Sequence, residues 1–239
     1  MNMNMPVANA PTPSGGGPKP FYQVWISALT KPNEATYSEI ASTPNAKPTT
    51  AYLWVFIGFL VEFVLSGLVS GSRYSGMLGQ YGGSGLGSGI VGTLITAICG
   101  GPILAVIATL FFAIGTAIIQ WIAKMFGGQG TYNQLVYVFA AIATPFALIA
   151  GVLSLFAAIP YVGLCFSIIL FVAALYVLVL NIIAVKGVNQ FGWGQAAGSV
   201  LIPLVVILLV CGCLAGITAL ALGSAISNVF NSINQSLAP

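Results

Sequence analysis

Residues 161–185 read YVGLCFSIILFVAALYVLVLNIIAV and contain no charged side chain. A helix rises about 1.5 Å per residue, so this stretch is long enough to cross a hydrocarbon core about 30 Å thick. We therefore predict a transmembrane helix over residues 161–185. Pro160 alone separates it from another apolar stretch, residues 132–159. The two stretches are predicted to form a tight antiparallel pair.

Further apolar stretches of similar length extend the pattern in both directions. Pro102, Pro145 and Pro203 lie inside them, and proline is tolerated in membrane helices because neighbouring groups can satisfy the freed carbonyl. We predict an all-α polytopic membrane protein with five transmembrane helices and short N-terminal interfacial helices. The predicted spans are residues 51–70, 93–124, 132–159, 161–185 and 197–222. The second is longer than one crossing needs, which indicates a tilt or a bend at Gly100-Gly101-Pro102.

The composition supports a lipid-facing surface. Only 4% of the residues are charged, whereas soluble domains carry about 25%. Apolar residues make up 58% of the chain, and its mean hydropathy is +1.02. Too little charge is available to keep such a surface dispersed in water. The net charge of +3 is also too small and too scattered for nucleic-acid binding.

The segments on either side of the spans differ in composition. Residues 1–20 are rich in Pro, Gly and Asn and are predicted to be a disordered tail. Residues 21–48 are predicted to be a cytoplasmic amphipathic segment of one or two short interfacial helices, or else a partly disordered linker. Residues 49–222 form the five-helix domain. Residues 223–239, with apolar side chains at helical spacing, are predicted to be an amphipathic extension on the far surface.

Positive charges set the predicted orientation. With five crossings, one side of the membrane receives five of the six basic residues, and the other side receives Arg73. Positive charges favour the cytoplasm, so we predict a protein of the cell membrane with a cytoplasmic N-terminus and an extracytoplasmic C-terminus. The Gly-rich residues 70–89 are predicted to be an extracytoplasmic connector. The five basic residues are Lys19, Lys31, Lys47, Lys124 and Lys186.

Side chains for catalysis or metal binding are scarce. The chain has no His and no Asp, and two of its three Glu lie in the predicted surface segment. No Ser-His-Asp or Cys-His arrangement can form, and no paired carboxylates or metal cluster can form at the membrane. We therefore expect no enzymatic activity, cofactor or metal. The four cysteines lie in apolar stretches and are interpreted as packing residues.

Glu62 is the one acidic residue inside a predicted span. A carboxylate in mid-membrane is costly, which makes Glu62 a candidate functional residue that carries a proton or contacts a substrate. We expect it to be protonated and to hydrogen-bond a backbone carbonyl or a Ser/Thr hydroxyl of another helix. Alternatively, Glu62 serves only helix packing, through that hydrogen bond. Gln120 and Asn181 are predicted to lie at the membrane interface.

Residues 125–146 read MFGGQGTYNQLVYVFAAIATPF and join the second span to the third. Gly127 and Gly128 can adopt the left-handed conformation that ends a helix. Thr131 can cap the helix that follows. The segment is therefore predicted to be a tight hairpin turn.

The same segment resembles the signature of the Yip1-domain family, in which a short Gly-Gly-x-Gly-small-aromatic turn leads into a helix with a later proline. Residues 185–197 resemble the last cytoplasmic turn of that family, and Pro32, Tyr37 and Ile40 resemble its entry segment. The chain looks closer to the small bacterial members than to the eukaryotic ones. The resemblance implies five transmembrane helices, a cytoplasmic N-terminus and no established enzymatic activity. The signature elements are Gly127, Gly128, Gly130, Thr131, Tyr132 and Pro145.

Three functions follow as hypotheses. The first is a non-enzymatic membrane organiser or scaffold, whose partners are membrane lipids and other membrane proteins or a second copy. The second is a small transporter, channel or lipid-handling protein that uses Glu62. The third is an accessory subunit of a larger membrane complex. The candidate functional residues are Glu62, Gly127, Gly128, Gly130, Tyr132 and Pro145.

Overall fold

The computed structural model describes residues 20–80, 94, 96–156, 159 and 162–237. Within this part the chain forms seven α-helices, one short π-helix and no strand, which confirms the all-α prediction. The predicted tail lies outside the described residues, apart from Pro20. The helices are α1 (Phe21–Thr30), α2 (Glu34–Ala41), α3 (Pro48–Gln80), α4 (Gly101–Met125), α5 (Tyr132–Phe156), α6 (Val162–Asn189) and α7 (Trp193–Leu237), with the π-helix at Thr96–Gly100.

Five of the helical segments are long and apolar enough to cross a membrane, as predicted. Their bounds differ from the predicted ones by a few residues at most ends. The chain is therefore a multi-pass membrane protein. The five segments are Pro48–Val69, Ala97–Met125, Tyr132–Phe156, Cys165–Asn189 and Trp193–Thr218.

Two helices extend past the ends of the predicted spans. Helix α3 continues to Gln80, so residues 70–80 are helical and not part of a connector; residues 81–93 lie outside the described part. Helix α7 runs to Leu237, and the helical spacing of residues 223–237 agrees with this. The placement of residues 223–239 on the membrane surface stays a prediction. The end of α3 was not visible in the sequence because glycine and serine disfavour a helix without forbidding it.

Helix α5 is the centre of the bundle and contacts α1, α2, α3, α4 and α6. It packs most closely on α3, and the two helices run parallel. A Cβ added at Gly151 would lie 2.9 Å from Glu62 Cα, and one at Gly58 would lie 3.2 Å from Thr144. Small residues at these positions allow the helix backbones to approach, as is common where lipid supplies no hydrophobic driving force.

The segment over residues 21–48 forms two short helices, as predicted. Asn33 caps α2 by accepting a hydrogen bond from Thr36 N at 2.7 Å. This bond satisfies one of the free amides of the first helical turn. Tyr37 and Ile40 of α2 are buried against the bundle.

Up to Thr218, as far as its side chains are described without a break, helix α7 is packed only near its beginning. Ala196, Ser199 and Val200 are buried, but from Leu201 to Thr218 every side chain except Pro203 is exposed. Gly212 and Gly216 have no heavy atom of another residue near the position of a Cβ. Most of this span therefore presents an apolar surface to its surroundings.

The contact of Gly151 with α3 can be tested by Gly151→Ala. We expect this substitution to lower the free energy of unfolding by about 1–3 kcal/mol, because the new methyl group would overlap the α3 backbone. The measurement is unfolding in mixed detergent micelles followed by circular dichroism. Gly115→Ala is the control, since Gly115 lies in α4 with nothing within 4 Å of its added Cβ. Equal effects of both substitutions would contradict the close α3–α5 packing.

Candidate functional site: a glycine turn and a docked helix pair

The turn after α4 is a regular helix-ending motif. Gly127 adopts φ +87°. Its amide donates to Lys124 O at 3.0 Å, and the Gly128 amide donates to Ala123 O at 2.9 Å. This pair of bonds is the Schellman arrangement, which favours glycine at the left-handed position. The predicted left-handed conformation is confirmed at Gly127. Gly128 has no positive φ, so its predicted role is wrong.

Gly128 and Gly130 are needed for space. A Cβ added at Gly128 would lie 2.6 Å from Asn189 Oδ1. One added at Gly130 would lie 2.6 Å from Val188 Cγ1 and 2.7 Å from Val188 O. The end of α6 therefore lies directly against the turn. The Gln129 amide completes the contact by donating to Asn189 O at 3.0 Å.

Two buried amide side chains join the turn to α4 and α6. Gln120 Nε2 donates to Gly130 O at 2.8 Å and to Asn189 Oδ1 at 3.0 Å. Asn189 Nδ2 donates to Val185 O at 3.1 Å and to Gln120 Oε1 at 3.3 Å. We call Gln120, Gly127, Gly128, Gly130 and Asn189 the glycine clamp. Its two side-chain amides hydrogen-bond each other and the backbone, so the clamp holds the turn against α6.

The clamp includes one residue that the sequence did not point out. Gln120 is 5% exposed and bonded inside the bundle; its place at the membrane interface stays a prediction. Asn189 is fully buried and was not singled out from the sequence. Its position at the end of an apolar helix gives no periodic signal. Its role in holding the turn is visible only in the structure, where Gly128 and Gly130 lie against its side chain.

A second turn is tied to the first. Gln195 Nε2 donates to Phe126 O at 3.1 Å, and Gln195 Oε1 accepts from the Gly192 amide at 2.9 Å. The turn between α6 and α7 is therefore bonded to the turn between α4 and α5. The structure thus brings together two of the three segments on which the family resemblance is based.

The start of α5 is fixed on both sides. Thr131 Oγ1 accepts from Gln134 N at 3.3 Å, and Gln134 Oε1 accepts from Thr131 N at 2.9 Å. This reciprocal pair is a capping box, so the predicted cap at Thr131 is confirmed. Tyr132 OH lies 2.5 Å from Tyr52 OH and donates to Ala113 O at 3.2 Å. Tyr132 therefore links α5 to both α3 and α4.

The α1–α2 pair is docked against α6 beside the clamp. A Cβ added at Gly187 would lie 2.7 Å from Glu34 O, so α2 contacts the α6 backbone directly. Lys186 forms an ion pair with Glu34 and also lies over the ring of Trp193, 4.1 Å from its centroid. The ends of α2, α6 and α7 meet at this lysine.

Two tyrosines hold the end of α1. Tyr37 OH donates to Ala28 O at 2.8 Å, and Tyr176 OH donates to Leu29 O at 2.6 Å. These bonds satisfy carbonyls that the helix end leaves without a partner. Burial and the nearby Tyr176 raise the pKa of the Tyr37 hydroxyl, which keeps its proton available for this bond.

Glu62 and Pro145 lie away from the clamp. Glu62 is half-buried where α3 meets Gly151 of α5. Its carboxyl forms no hydrogen bond or ion pair with another residue in the described ranges, so the expected bond to a neighbouring helix is not formed there. Pro145 follows Thr144, which packs on Gly58 of α3. Of the six candidate residues, the structure brings together four: Gly127, Gly128, Gly130 and Tyr132.

The fold and the clamp define a polytopic α-helical membrane protein with a helix pair docked at one end. A family model described as the Yip1 domain matches residues 26–214, and the chain belongs to this family. The match covers the second half of α1, the whole of α2, the first four candidate spans and the fifth as far as residue 214. Neither the curated proteins nor the solved structures contain a match.

The clamp can be tested with Asn189→Leu. We expect it to lower the free energy of unfolding by about 1–3 kcal/mol, because the Gln120 amide loses its partner while staying buried. Gln120→Leu should cost a similar amount, and the double variant should cost less than the sum of the two. Asn181→Leu, in the same helix, is the control and should have a smaller effect. Strict additivity of the two substitutions would contradict the amide pair.

Proposed function

We propose that the protein is a non-enzymatic membrane organiser that binds partner proteins through the outer face of α1. This helix has two apolar faces. Val24 and Ala28 are buried against the bundle, whereas Phe21, Tyr22 and Ile26 are 54%, 50% and 57% exposed. The proposal rests on one observation: α1 is docked against the bundle, yet its outer face remains exposed.

The way α1 is held supports a binding role. Its inner face packs on the bundle, where the rings of Trp25 and Trp54 lie 5.6 Å apart. Its last carbonyls are bonded by Tyr37 and Tyr176. A surface that is already ordered loses little conformational entropy when a partner binds. Aromatic residues are also enriched at the centres of protein interfaces.

A second candidate function, an accessory subunit of a larger complex, is favoured by the exposed part of α7. Leu208, Leu209 and Ile217 are each 63% exposed, and the glycines nearby leave the helix surface smooth. A helix of this kind can pack against the helix of another membrane protein. The two candidate functions differ in which surface meets the partner.

Photo-crosslinking distinguishes the two candidates. A photoreactive amino acid at Tyr22 is expected to give one discrete crosslinked product in intact membranes, seen as a single shifted band on a denaturing gel. The same label at Leu208 should give the product if α7 is the contact surface. Phe171 is the control, because it lies on α6 and is 65% exposed. Equal products from all three positions would contradict a specific partner surface.

The orientation is part of the proposal. We propose that the protein resides in the cell membrane with its N-terminus in the cytoplasm. The support is that the start of α3, the end of α4 and the end of α6 lie at one end of the bundle and each carries a lysine. These residues are Lys47, Lys124 and Lys186. Lysine-rich ends favour the cytoplasmic side.

Cysteine labelling tests this orientation. In a variant whose four native cysteines are replaced by alanine, Gln129→Cys in the glycine turn should resist a membrane-impermeant maleimide applied to intact cells. Arg73→Cys, near the other end of α3, should react. Permeabilised cells are the control, since both positions should then be labelled. Labelling of residue 129 alone in intact cells would reverse the orientation.

A further inference from the structure

A cavity of about 420 Å³ opens where α1 and α3 begin and α5 passes behind them. It does not belong to the glycine clamp, and it shares only Phe21 with the outer face of α1. Its volume is within the range of small-molecule sites, which is roughly 300–1,000 Å³. The lining residues are Pro20, Phe21, Asn45, Lys47, Thr50, Trp54 and Tyr137.

The lining has two chemically different parts. Trp54 and Tyr137 form an aromatic wall, with their ring centroids 5.1 Å apart. Tyr137 is only 2% exposed, so this wall belongs to the packed bundle. Asn45 and Lys47 are exposed and supply polar groups at the opening. The cavity therefore suits a molecule with one polar end and one apolar end.

The polar part of the cavity favours an anion. Lys47 forms no ion pair with any residue in the described ranges. Lys47 also directly precedes α3, whose first regular bond beyond Pro48 runs from Ala51 N to Lys47 O at 3.2 Å. The amides of Thr49 and Thr50 lie in the first helical turn, where no intrahelical acceptor exists. Lys47 and the start of α3 both attract an anion, because a helix N-terminus also attracts negative charge.

The level of the cavity relative to the bilayer indicates where the anion comes from. The membrane-spanning part of α3 begins at Pro48, so Lys47 and Thr50 lie at the level where the chain enters the bilayer. Tyr52, Trp54 and Tyr137 are at this same end of the bundle, as expected of aromatic residues at a membrane interface. Phospholipid headgroups carry their phosphates at this level.

We propose that this cavity binds the headgroup of a phospholipid with net negative charge. The phosphate lies between Lys47 and the first turn of α3, and the glycerol region lies against Trp54 and Tyr137. A choline headgroup could contact the aromatic rings through a cation–π interaction, but Lys47 would repel its positive charge. The cavity therefore prefers a phosphatidylglycerol-like headgroup to a phosphatidylcholine.

The test uses the full chain in mild detergent, titrated with dioleoyl phosphatidylglycerol or dioleoyl phosphatidylcholine, with bound lipid counted by native mass spectrometry. Wild-type protein should hold one phosphatidylglycerol in preference to phosphatidylcholine. Lys47→Gln should weaken phosphatidylglycerol binding about fivefold, the size of one lysine contact with an anionic headgroup. Thr50→Val should also weaken it. Both positions are at the surface of the cavity, and unchanged melting temperatures will show that the variants fold.

Lys124→Gln is the matched control, because Lys124 lies at the same end of the bundle but outside the cavity. It should leave phosphatidylglycerol binding unchanged. An equal loss in the two lysine variants would overturn the proposal in favour of general surface charge. Equal binding of the two lipids would also overturn it. Complete displacement of the lipid by millimolar inorganic phosphate would assign the cavity to a free anion instead.

Discussion

The approach of two glycines to the end of α6 is the contact on which the lysine-bearing end of the bundle depends. Gly128 and Gly130 let the turn lie against Val188 and Asn189 at distances that no side chain would allow. The Gln120 and Asn189 amides can then bond each other and the turn backbone. With α4, α5 and α6 joined, Gly187 becomes the surface against which α2 packs. Glycine therefore supplies shape here, and the buried amides make that shape the only one in which their hydrogen bonds are satisfied.

The same principle operates along α3, for example at Gly58 and at the contact with Gly151. Between membrane helices there is no water to expel, so association depends on close van der Waals packing and on satisfied polar groups. The bundle separates these two tasks. Glycines in α3 and α5 provide packing inside the membrane, and polar residues at the lysine-bearing end provide hydrogen bonds. Between Leu201 and Thr218, α7 exposes every side chain except that of Pro203, so this stretch leaves its surface open to other molecules.

The sequence predicted the five spans well, because each is an unbroken apolar stretch and hydropathy is a local property. It also predicted the Gly127 conformation and the Thr131 cap, since both depend on neighbours within a few residues. The end of α3 was mispredicted, because glycine-rich helical stretches and loops have similar compositions. Gln120 and Asn189 could not be paired in advance. They are 69 residues apart, and a single sequence contains no record of such distant contacts.

The sequence by itself determined that the chain is a membrane protein, how often it crosses, and where its turns fall, because lipid sorts residues by polarity and backbone rules act locally. Only the tertiary structure decided which polar residues meet. It placed Gln120 in the clamp, Glu34 on Lys186, and Lys47 at the mouth of an aromatic cavity. Each of these contacts depends on the distance between helices far apart in the chain. That distance is set by the packing of small residues and leaves no periodic pattern in the sequence.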